Sequence, residues 1–383
     1  MTPPRPDRRP PFADWNSLHR SVTQRLSEKN GGLQPDLDPA IREALWRRGF
    51  LADKWRLLSM ESRGFDGFLS DVQRHMARNI NGRHGWVLDD KFVLYKTLQT
   101  VARQPEMLVA LYDGHAILAQ SWHALLNGDA PATVYAKPAQ GSMGHGLVRA
   151  TLGGGAVTVD GRRFGGEDFL DRLRHSGSDY VVTLGVVQHP DMAALFPGTT
   201  NTLRVLVARH PRDGKPFIGA TALRVGTVAS GPIDNFSRGG LSFPVDPATG
   251  LIGRGVRRLA SGHVEPVEAH PDSGLPITGR TVPLWPEVAA CTLGAFVHLP
   301  FLRYVGWDVA VGPEGPVVIE GNSYSGVDVF QVHGPVLHAP ALRAFYEHHG
   351  ILAYTGPCPI GRADPATHPR DSIDEDNIIS RDT

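Results

Sequence analysis

The stretch VGWDVAVGPEGPVVIEGN, residues 305–322, constrains the fold most, because it predicts two apolar strands joined by one tight turn. Proline presets the backbone for the first turn position, and Gly315 can take the left-handed conformation that ends a three-residue hairpin loop. With that loop, Gly312 pairs with Pro316 across the hairpin. The chain is therefore expected to contain an antiparallel sheet whose register can be counted from this turn.

The counted register brings three oxygen-bearing side chains together. Asp308 lies opposite Glu320, and Asn322 shares a face with Glu320 because side chains alternate along a strand. Such a set suits Mg²⁺, which takes one or two carboxylates plus substrate phosphates. The alternative is a hairpin whose acids are only solvated, and a β-bulge would shift the pairing by one residue. Both acids sit among Val, Trp, Ala and Ile. Because buried acids need a partner, the metal site is favoured.

A lysine followed by a glycine-rich loop gives a second candidate site in VYAKPAQGSMGHG, residues 134–146. The spacing fits neither a P-loop nor a dinucleotide-binding fingerprint, because the lysine precedes the glycines and no helix follows at once. It predicts a flexible flap between two strands, whose backbone N–H groups can approach phosphate oxygens. A plain surface hairpin with a solvated lysine explains this stretch equally well. The candidate phosphate contacts are Lys137, Gly141, Ser142, Gly144 and Gly146.

Composition and periodicity divide the chain into six segments. Helical patterns cover Asp38–Ser59, with Asp38 as the cap, and Gly67–Ala77, and a third helix begins after Asp89 or Asp90. Strand patterns cover 106–114, 132–138 and 179–187, and a hairpin covers 156–164. The expected segments are a loose tail at 1–12, a helical section at 13–88, a third segment at 89–130, a small α+β unit at 131–187, a larger mixed α/β part at 188–355 and a second loose tail at 356–383.

Charge and cysteine content exclude several classes of protein. Lys plus Arg equals Asp plus Glu at 39 each, so nothing favours binding to nucleic acid or to an anionic membrane. The two cysteines, Cys291 and Cys358, form no zinc-type pattern and suit a reducing compartment. No apolar run approaches the roughly 18 residues that a membrane span needs, and the N-terminus lacks a signal-peptide core. We therefore expect a cytoplasmic protein with no nucleic-acid or membrane partner.

The order of these motifs resembles that of the ATP-grasp superfamily, in which a lysine with a glycine flap precedes an Asp, a Glu and an Asn. More narrowly, the chain resembles the sugar-transfer-associated ATP-grasp proteins, also called α-L-glutamate ligase-related. The matching stretches, within about 88–335, are KPAQGSMGHG, VVQHPDMAALFPGTTNTLRV, LRVG, DNFSRGGLSFPVD, VPLWPEV and VGWDVAVGPEGPVVIEGN. The resemblance implies an α+β ATP-grasp fold with a helical N-terminal section, a small mobile central α+β subdomain at 131–187 and a larger C-terminal mixed α/β subdomain.

The resemblance also implies roles for single residues. Lys91 is similar to a first phosphate-binding lysine and Lys137 to a second. Arg204 and Arg224 resemble arginines that hold the transferred phosphoryl group and the acidic substrate, and Asn235 lies in a loop that resembles one beside the acceptor. The segment VVTLGVV resembles the hinge that binds adenine, yet it lacks the acidic or amide residue of many relatives, so nucleotide preference stays open. The hinge residues are Thr183, Leu184, Gly185 and Val186.

These residues together imply an ATP-dependent ligase that joins a carboxylate to an amine. A carboxylate is a poor electrophile, and phosphorylation by ATP converts it into an acyl phosphate that an amine can attack, releasing ADP and phosphate. The resemblance implies ATP and one or two Mg²⁺ ions as cofactors, with Mn²⁺ as a substitute. It also implies small-molecule carboxylate and amine substrates. A homodimer is one option, with the helical section at 13–88 as a contact surface. A phosphotransferase acting on a sugar or polyol hydroxyl, and a nucleotide-binding protein without turnover, are the alternatives.

Overall fold

The computed structural model describes residues 14–141 and 145–357. The first expected tail at 1–12, most of the second at 356–383, and the flap residues Ser142 and Gly144 lie outside the described residues. Two seven-stranded antiparallel sheets surrounded by helices make up the described part, which confirms the expected α+β class. None of the helices in these ranges has the length and apolar character that a bilayer span requires.

The strands are β1 (Met107–Tyr112), β2 (His115–Leu118), β3 (Ala132–Pro138), β4 (Val148–Gly153), β5 (Ala156–Val159), β6 (Arg162–Phe164), β7 (Tyr180–Leu184), β8 (Thr202–Arg209), β9 (Pro216–Val225), β10 (Leu241–Pro244), β11 (Gly255–Arg258), β12 (Val264–Val267), β13 (Tyr304–Gly312) and β14 (Gly315–Asn322). The helices are α1 (Trp15–Gly31), α2 (Pro39–Arg47), α3 (Lys54–Leu57), α4 (Met60–Arg63), α5 (Asp71–Ala77), α6 (Trp86–Asp89), α7 (Lys91–Leu98), α8 (Gln120–Asn127), α9 (Gly166–Arg174), α10 (Pro190–Leu195), α11 (Trp285–His298), α12 (Asp328–Gln331) and α13 (Pro340–His348). Short 3₁₀ helices lie at Gly82–Gly85, Phe236–Arg238, Val336–His338 and Ile351–Ala353.

The first sheet has the order β2-β1-β7-β3-β4-β5-β6 and carries the predicted flap between β3 and β4. Helices α8 and α9 cover its core, where Trp122, Phe169 and Leu170 are buried. Strand β3 and the hairpin β5–β6 form where alternation and the Asp160–Gly161 turn predicted them. Strands β1 and β2 join the same sheet through the pairing of β1 with β7. The sheet therefore begins at residue 107, earlier in the chain than the unit expected at 131–187.

The second sheet has the order β12-β11-β10-β9-β8-β13-β14, and its central strands are buried on both faces. Along β8, Leu203 and Val205 belong to one core, over which α11 packs. Leu206 and Ala208 belong to another core, which α1, α5 and α13 cover. A strand covered on both faces has an almost continuous apolar sequence, and all nine residues of β13 are buried. A charged residue in such a strand, such as Asp308, must find its partners inside the protein.

The hairpin of β13 and β14 has the predicted central register but a different turn. The structure pairs Gly312 with Gly315 through a two-residue turn, so the predicted pairing of Gly312 with Pro316 is wrong. A β-bulge next to Asp308 then adds one extra residue to β14. The shorter turn and the bulge shift the register in opposite directions. Asp308 consequently lies opposite Glu320, as the sequence predicted.

The N-terminal helices are shorter than the periodicity predicted. Helix α2 begins after Asp38, whose carboxylate accepts a hydrogen bond from the backbone N–H of Ala40 at 2.7 Å. It ends before Gly49, which has a φ of 83°, a left-handed conformation that glycine adopts without penalty. The single helix predicted over 38–59 is therefore divided, and α3 forms a separate short helix. Helix α5 starts later than predicted, after a capping box built on Ser70.

Candidate active site

A cavity of about 620 Å³ brings together residues of both sheets and of the N-terminal helices. Most of the site residues expected from the sequence line it: Lys91, Lys137, Gly141, Thr183, Leu184, Val186, Arg204, Arg224, Asn235, Asp308, Glu320 and Asn322. Gly146 and Gly185 do not line this cavity. A Cβ on Gly146 would come within 3.0 Å of the Tyr180 hydroxyl, and Gly185 donates its backbone N–H to Thr133 at 2.8 Å. These two glycines thus serve close backbone packing beside the cavity.

Asp308 is the centre of a buried ion network. Asp308 on β13 is the direct cross-strand neighbour of Arg204 on β8. The Arg204 guanidinium binds both carboxylate oxygens, through Nε and through Nη2 at 3.0 Å, and Arg224 Nη2 donates to the same carboxylate at 2.9 Å. The exposed fractions of the Arg204, Arg224 and Asp308 side chains are 10%, 16% and 4%. Burial alone would raise the pKa of Asp308, but the two guanidinium groups outweigh it and lower this pKa to about 2.

Arg224 is positioned by two residues that the sequence analysis did not single out. Its Nη2 donates to the Thr202 hydroxyl at 2.6 Å, and its Nε lies 3.5 Å from Asp234. Asp234 in turn accepts a hydrogen bond from the backbone N–H of Thr202 at 3.0 Å and one from its hydroxyl. One signal in the sequence could have identified Thr202, since it lies two residues before Arg204 and so shares its face of β8.

Glu320 and Lys137 have opposite charges and face the same cavity without forming an ion pair. Burial first, and then the neighbouring Asp308 carboxylate, raise the pKa of Glu320. Burial lowers the pKa of Lys137, although the attraction of Glu320 opposes this change. Within residues 14–141 and 145–357, neither side chain belongs to an ion pair, and the Lys137 ammonium lies 5.9 Å from the centre of the Tyr135 ring. A ligand in this cavity can therefore bring negative charge to Lys137 and positive charge to Glu320.

The donors on the hairpin fit a divalent cation that is shared with a phosphorylated ligand. Asp308 and Glu320 supply two adjacent carboxylates, and Asn322 donates its amide nitrogen to the Gly306 carbonyl at 3.1 Å, which leaves the amide oxygen as an acceptor. The described residues contain no group of three or more His, Cys, Asp or Glu side chains that could form a metal cage by themselves. Two carboxylates and one amide, completed by phosphate oxygens and water, suit Mg²⁺.

Lys91 is held at the base of the flap by its neighbour Asp90. Asp90 caps α7 as the sequence predicted, and its carboxylate also accepts hydrogen bonds from the Tyr112 hydroxyl at 2.7 Å and from Gln140 at 3.2 Å. The Lys91 ammonium donates to the carbonyl of Gly141 at 3.1 Å. The start of α7 is thus fixed to the strand end from which the flap emerges, and Asp90 orients Lys91 toward the cavity.

The predicted hinge contains one buried hydroxyl next to the cavity. Thr183 lines the cavity, the residue is 7% exposed, and its Oγ1 is buried without a hydrogen-bond partner among the described residues. Leu184 and Gly185 donate their backbone N–H groups to Glu106 and Thr133. A buried hydroxyl without a partner is unfavourable, so a ligand that hydrogen-bonds to Thr183 would stabilise this arrangement.

Comparison with known proteins gives a family match and several weak structural likenesses. The model of the family described as sugar-transfer associated ATP-grasp matches residues 72–344. No curated protein gave a significant match. Among solved structures, an ATP-grasp superfamily protein from Archaeoglobus fulgidus is 13% identical with a TM-score of 0.32, and the match covers 66% of this chain and 52% of that one. The chain thus spans about half the length of that relative.

Two further solved structures, a ligase and a synthetase, show similarly low sequence identity and TM-scores. A D-alanine–D-alanine ligase from Bacillus anthracis complexed with ATP is 12% identical with a TM-score of 0.36, and the match covers 78% of this chain and 72% of that one. D-alanyl-alanine synthetase A from Vibrio cholerae is 11% identical with a TM-score of 0.39, covering 80% and 74%. Because the family match extends over most of the chain, the protein belongs to the sugar-transfer associated ATP-grasp family.

Proposed function

We propose that the protein is an ATP- and Mg²⁺-dependent ligase that joins a small-molecule carboxylate to an amine through an acyl phosphate. One observation carries the proposal. Lys91 of α7 and Lys137 of the first sheet line the same cavity as Asp308, Glu320 and Asn322 of the second sheet. A magnesium-bound triphosphate would bring negative phosphate oxygens to the two lysines and a positive metal ion to the carboxylates.

The two lysines would bind the phosphates of the nucleotide, and the hairpin residues would bind its metal ion. Lys137 projects from a strand next to the flap and supplies a positive charge to phosphate oxygens. Lys91 supplies a second charge from the N-terminus of α7. Asp308, Glu320 and Asn322 would hold Mg²⁺, which neutralises charge on the phosphates when it is bound. The Thr183 hydroxyl would contact the base.

Arg204 and Arg224 would bind the acidic substrate and the phosphoryl group as it moves. Each guanidinium has five N–H donors, which is more than their contacts with Asp308 and Thr202 use. The two side chains are held rigidly, so they would stabilise developing negative charge without reorganisation. We assign no covalent nucleophile to the protein, because transfer through an acyl phosphate needs positioning and charge neutralisation. Asn235 lies on the cavity wall beside Asp234 and would contact the acceptor.

The proposal is tested by incubating the protein with ATP, Mg²⁺ and mixtures of amino acids, peptides, sugar acids and amines. The expected result is ADP formation that depends on both an acid and an amine, together with an amide product identified by mass spectrometry. Lys137→Met should abolish this turnover, whereas Lys215→Met, at an exposed lysine of the β8–β9 turn, should retain it. ADP without an amide product, or a stable phosphoester formed on a hydroxyl without any amine, would refute the ligase assignment.

A further inference from the structure

Asp89 is a half-buried carboxylate that has no part in the nucleotide and metal binding proposed above. The sequence allowed either Asp89 or Asp90 to cap α7, and the structure uses Asp90. Asp89 is the last residue of α6, it is not among the described residues that line the cavity, and it forms no ion pair with any of them. A carboxylate that is partly removed from water and has no cation beside it depends on hydrogen-bond donors. The donors around Asp89 therefore indicate its role.

Among the described residues, the donors that reach the Asp89 carboxylate belong to Ser323. The Ser323 hydroxyl lies 2.7 Å from one carboxylate oxygen and 2.8 Å from the other, and the Ser323 backbone N–H donates to the carboxylate at 3.4 Å. Because one residue supplies both donors, Asp89 holds the main chain of Ser323 as well as its side chain. Ser323 is 1% exposed, and a Cβ on Gly85 would come within 3.3 Å of its Cβ atom. Ser323 is thus closely packed against the segment that ends in Asp89.

Ser323 directly follows Asn322, the third residue expected to hold the metal ion. Asn322 is the last residue of β14, which is the edge strand of the second sheet. An edge strand has a neighbour on one side only, and the ends of strands are prone to local opening. The Asn322 amide nitrogen donates to the Gly306 carbonyl, which orients the side chain from within the sheet. The contacts between Ser323 and Asp89 hold the same strand end from outside the sheet.

This support affects metal binding because Mg²⁺ tolerates little error in the placement of its ligands. The ion requires nearly octahedral coordination at about 2.0–2.1 Å, so a ligand oxygen displaced by about 0.5 Å binds it poorly. Asp89 also lies two residues before Lys91, and Asp90 between them accepts a hydrogen bond from Tyr112 of β1. One short segment thus connects the end of the metal-binding hairpin with the lysine proposed to bind phosphate and with the first sheet.

We propose that Asp89 is a positioning residue for the metal site. Through Ser323 it fixes the main chain at Asn322, and with it the amide oxygen that would bind the ion. Asp89 acts through hydrogen bonds, since it does not line the cavity. The proposal rests on the metal site of the proposed function, and it is independent of which acid and which amine the protein would join.

The test is a titration of the full-length protein with Mn²⁺ in the presence of ADP. Electron paramagnetic resonance measures free Mn²⁺, with a correction for the ion bound by ADP alone. Removing a group that orients a metal ligand typically costs about 10–100-fold in metal affinity, so Asp89→Ala and Ser323→Ala should each weaken Mn²⁺ binding about tenfold or more. Asp89→Asn keeps an acceptor oxygen for the Ser323 hydroxyl and should weaken Mn²⁺ binding about threefold or less.

The control variant is Asp246→Ala. Asp246 is an exposed carboxylate that likewise accepts hydrogen bonds from the hydroxyl and the backbone N–H of one residue, Thr249, and it does not line the cavity. Its loss should change Mn²⁺ affinity less than about twofold.

The affinity for ADP in the presence of EDTA separates positioning of the metal ligand from a general structural role. Asp90 and Lys91 keep their contacts in Asp89→Ala, so ADP affinity without metal should stay within about twofold of the wild-type value. A variant that had lost its fold would lose both affinities together. Circular dichroism checks the structure of each variant independently.

Three results would each overturn the proposal: Mn²⁺ affinity of Asp89→Ala equal to that of the wild type, an equal loss of ADP affinity without metal, or an Asp89→Asn variant as weak as Asp89→Ala. A wild-type protein that binds ADP but no Mn²⁺ would refute the metal site of the proposed function, and this proposal with it. Mn²⁺ binding with the expected pattern of variants, but with no amide product from any acid and amine, would refute the ligase assignment alone.

Discussion

Replacing each of the two carboxylates expected to hold the metal by its amide should change the free energy of unfolding in opposite directions. This contrast is the sharpest test of the site. Asp308 contacts two buried guanidinium groups, whereas Glu320 has no basic partner in the described residues and lies beside Asp308. We therefore compare Asp308→Asn with Glu320→Gln in the absence of nucleotide and metal. Both substitutions keep the size of the side chain and remove one negative charge.

The expected magnitudes follow from the partners that each substitution leaves behind. Removing one member of a buried ion pair costs about 3–5 kcal/mol, because the other charge stays buried without compensation. Asparagine keeps one acceptor oxygen for Arg204 and Arg224, so Asp308→Asn should cost about 3 kcal/mol. Two like charges in contact repel by at most about 4 kcal/mol in a protein-like dielectric, and partial exposure of Glu320 screens most of this repulsion. Glu320→Gln should therefore stabilise the protein by about 1 kcal/mol.

The assay is equilibrium unfolding in urea with EDTA present, followed by fluorescence and circular dichroism. The expected separation of the two variants is about 4 kcal/mol in the free energy of unfolding, with unchanged m-values. Glu314→Gln, at an exposed turn residue of the same hairpin, is the control and should change stability by less than about 0.5 kcal/mol. Both site variants should lose Mg²⁺-dependent ATP turnover. If Asp308→Asn were as stable as wild type, or Glu320→Gln the less stable of the two, the network derived from the structure would be wrong.

Two further predictions concern the hinge and a buried histidine. Thr183→Val removes a buried hydroxyl without a partner, so stability should rise by up to about 1 kcal/mol. The affinity for adenine nucleotides, measured by fluorescence titration, should fall about fivefold or more. Unchanged affinity would exclude contact between this hydroxyl and the base. Burial, and then Arg63, lower the pKa of His333 to about 3, while an unfolded histidine titrates near 6.5. The unfolded state therefore binds more protons below pH 6.5, and the contribution of this one histidine to stability should fall by up to about 2 kcal/mol between pH 7 and pH 5. His333→Gln should flatten this part of the melting-temperature profile, and an unchanged slope would contradict the assignment.

Features that depend on neighbouring residues could be predicted from the sequence. Strand β3 and helix α7 follow from alternation and from the Asp90 cap, whose causes lie within a few residues. The pairing of Asp308 with Glu320 was also predicted correctly, although for an incomplete reason. The turn is one residue shorter than predicted, and a bulge that no local signal revealed restores the register.

Features that depend on distant contacts were decided only by the tertiary structure. Arg204 and Asp308 are 104 residues apart, and Lys54 and Asp328 are 274 residues apart. No periodicity or spacing links such positions, because their meeting depends on the order of strands in the second sheet and on the packing of the N-terminal helices against it. The sequence by itself determined which residues could carry charge into a strand or cap a helix. The fold determined that Asp308 lies between two arginines and that residues of the N-terminal helices line the same cavity, because burial allows a charge to persist only where its partners are assembled.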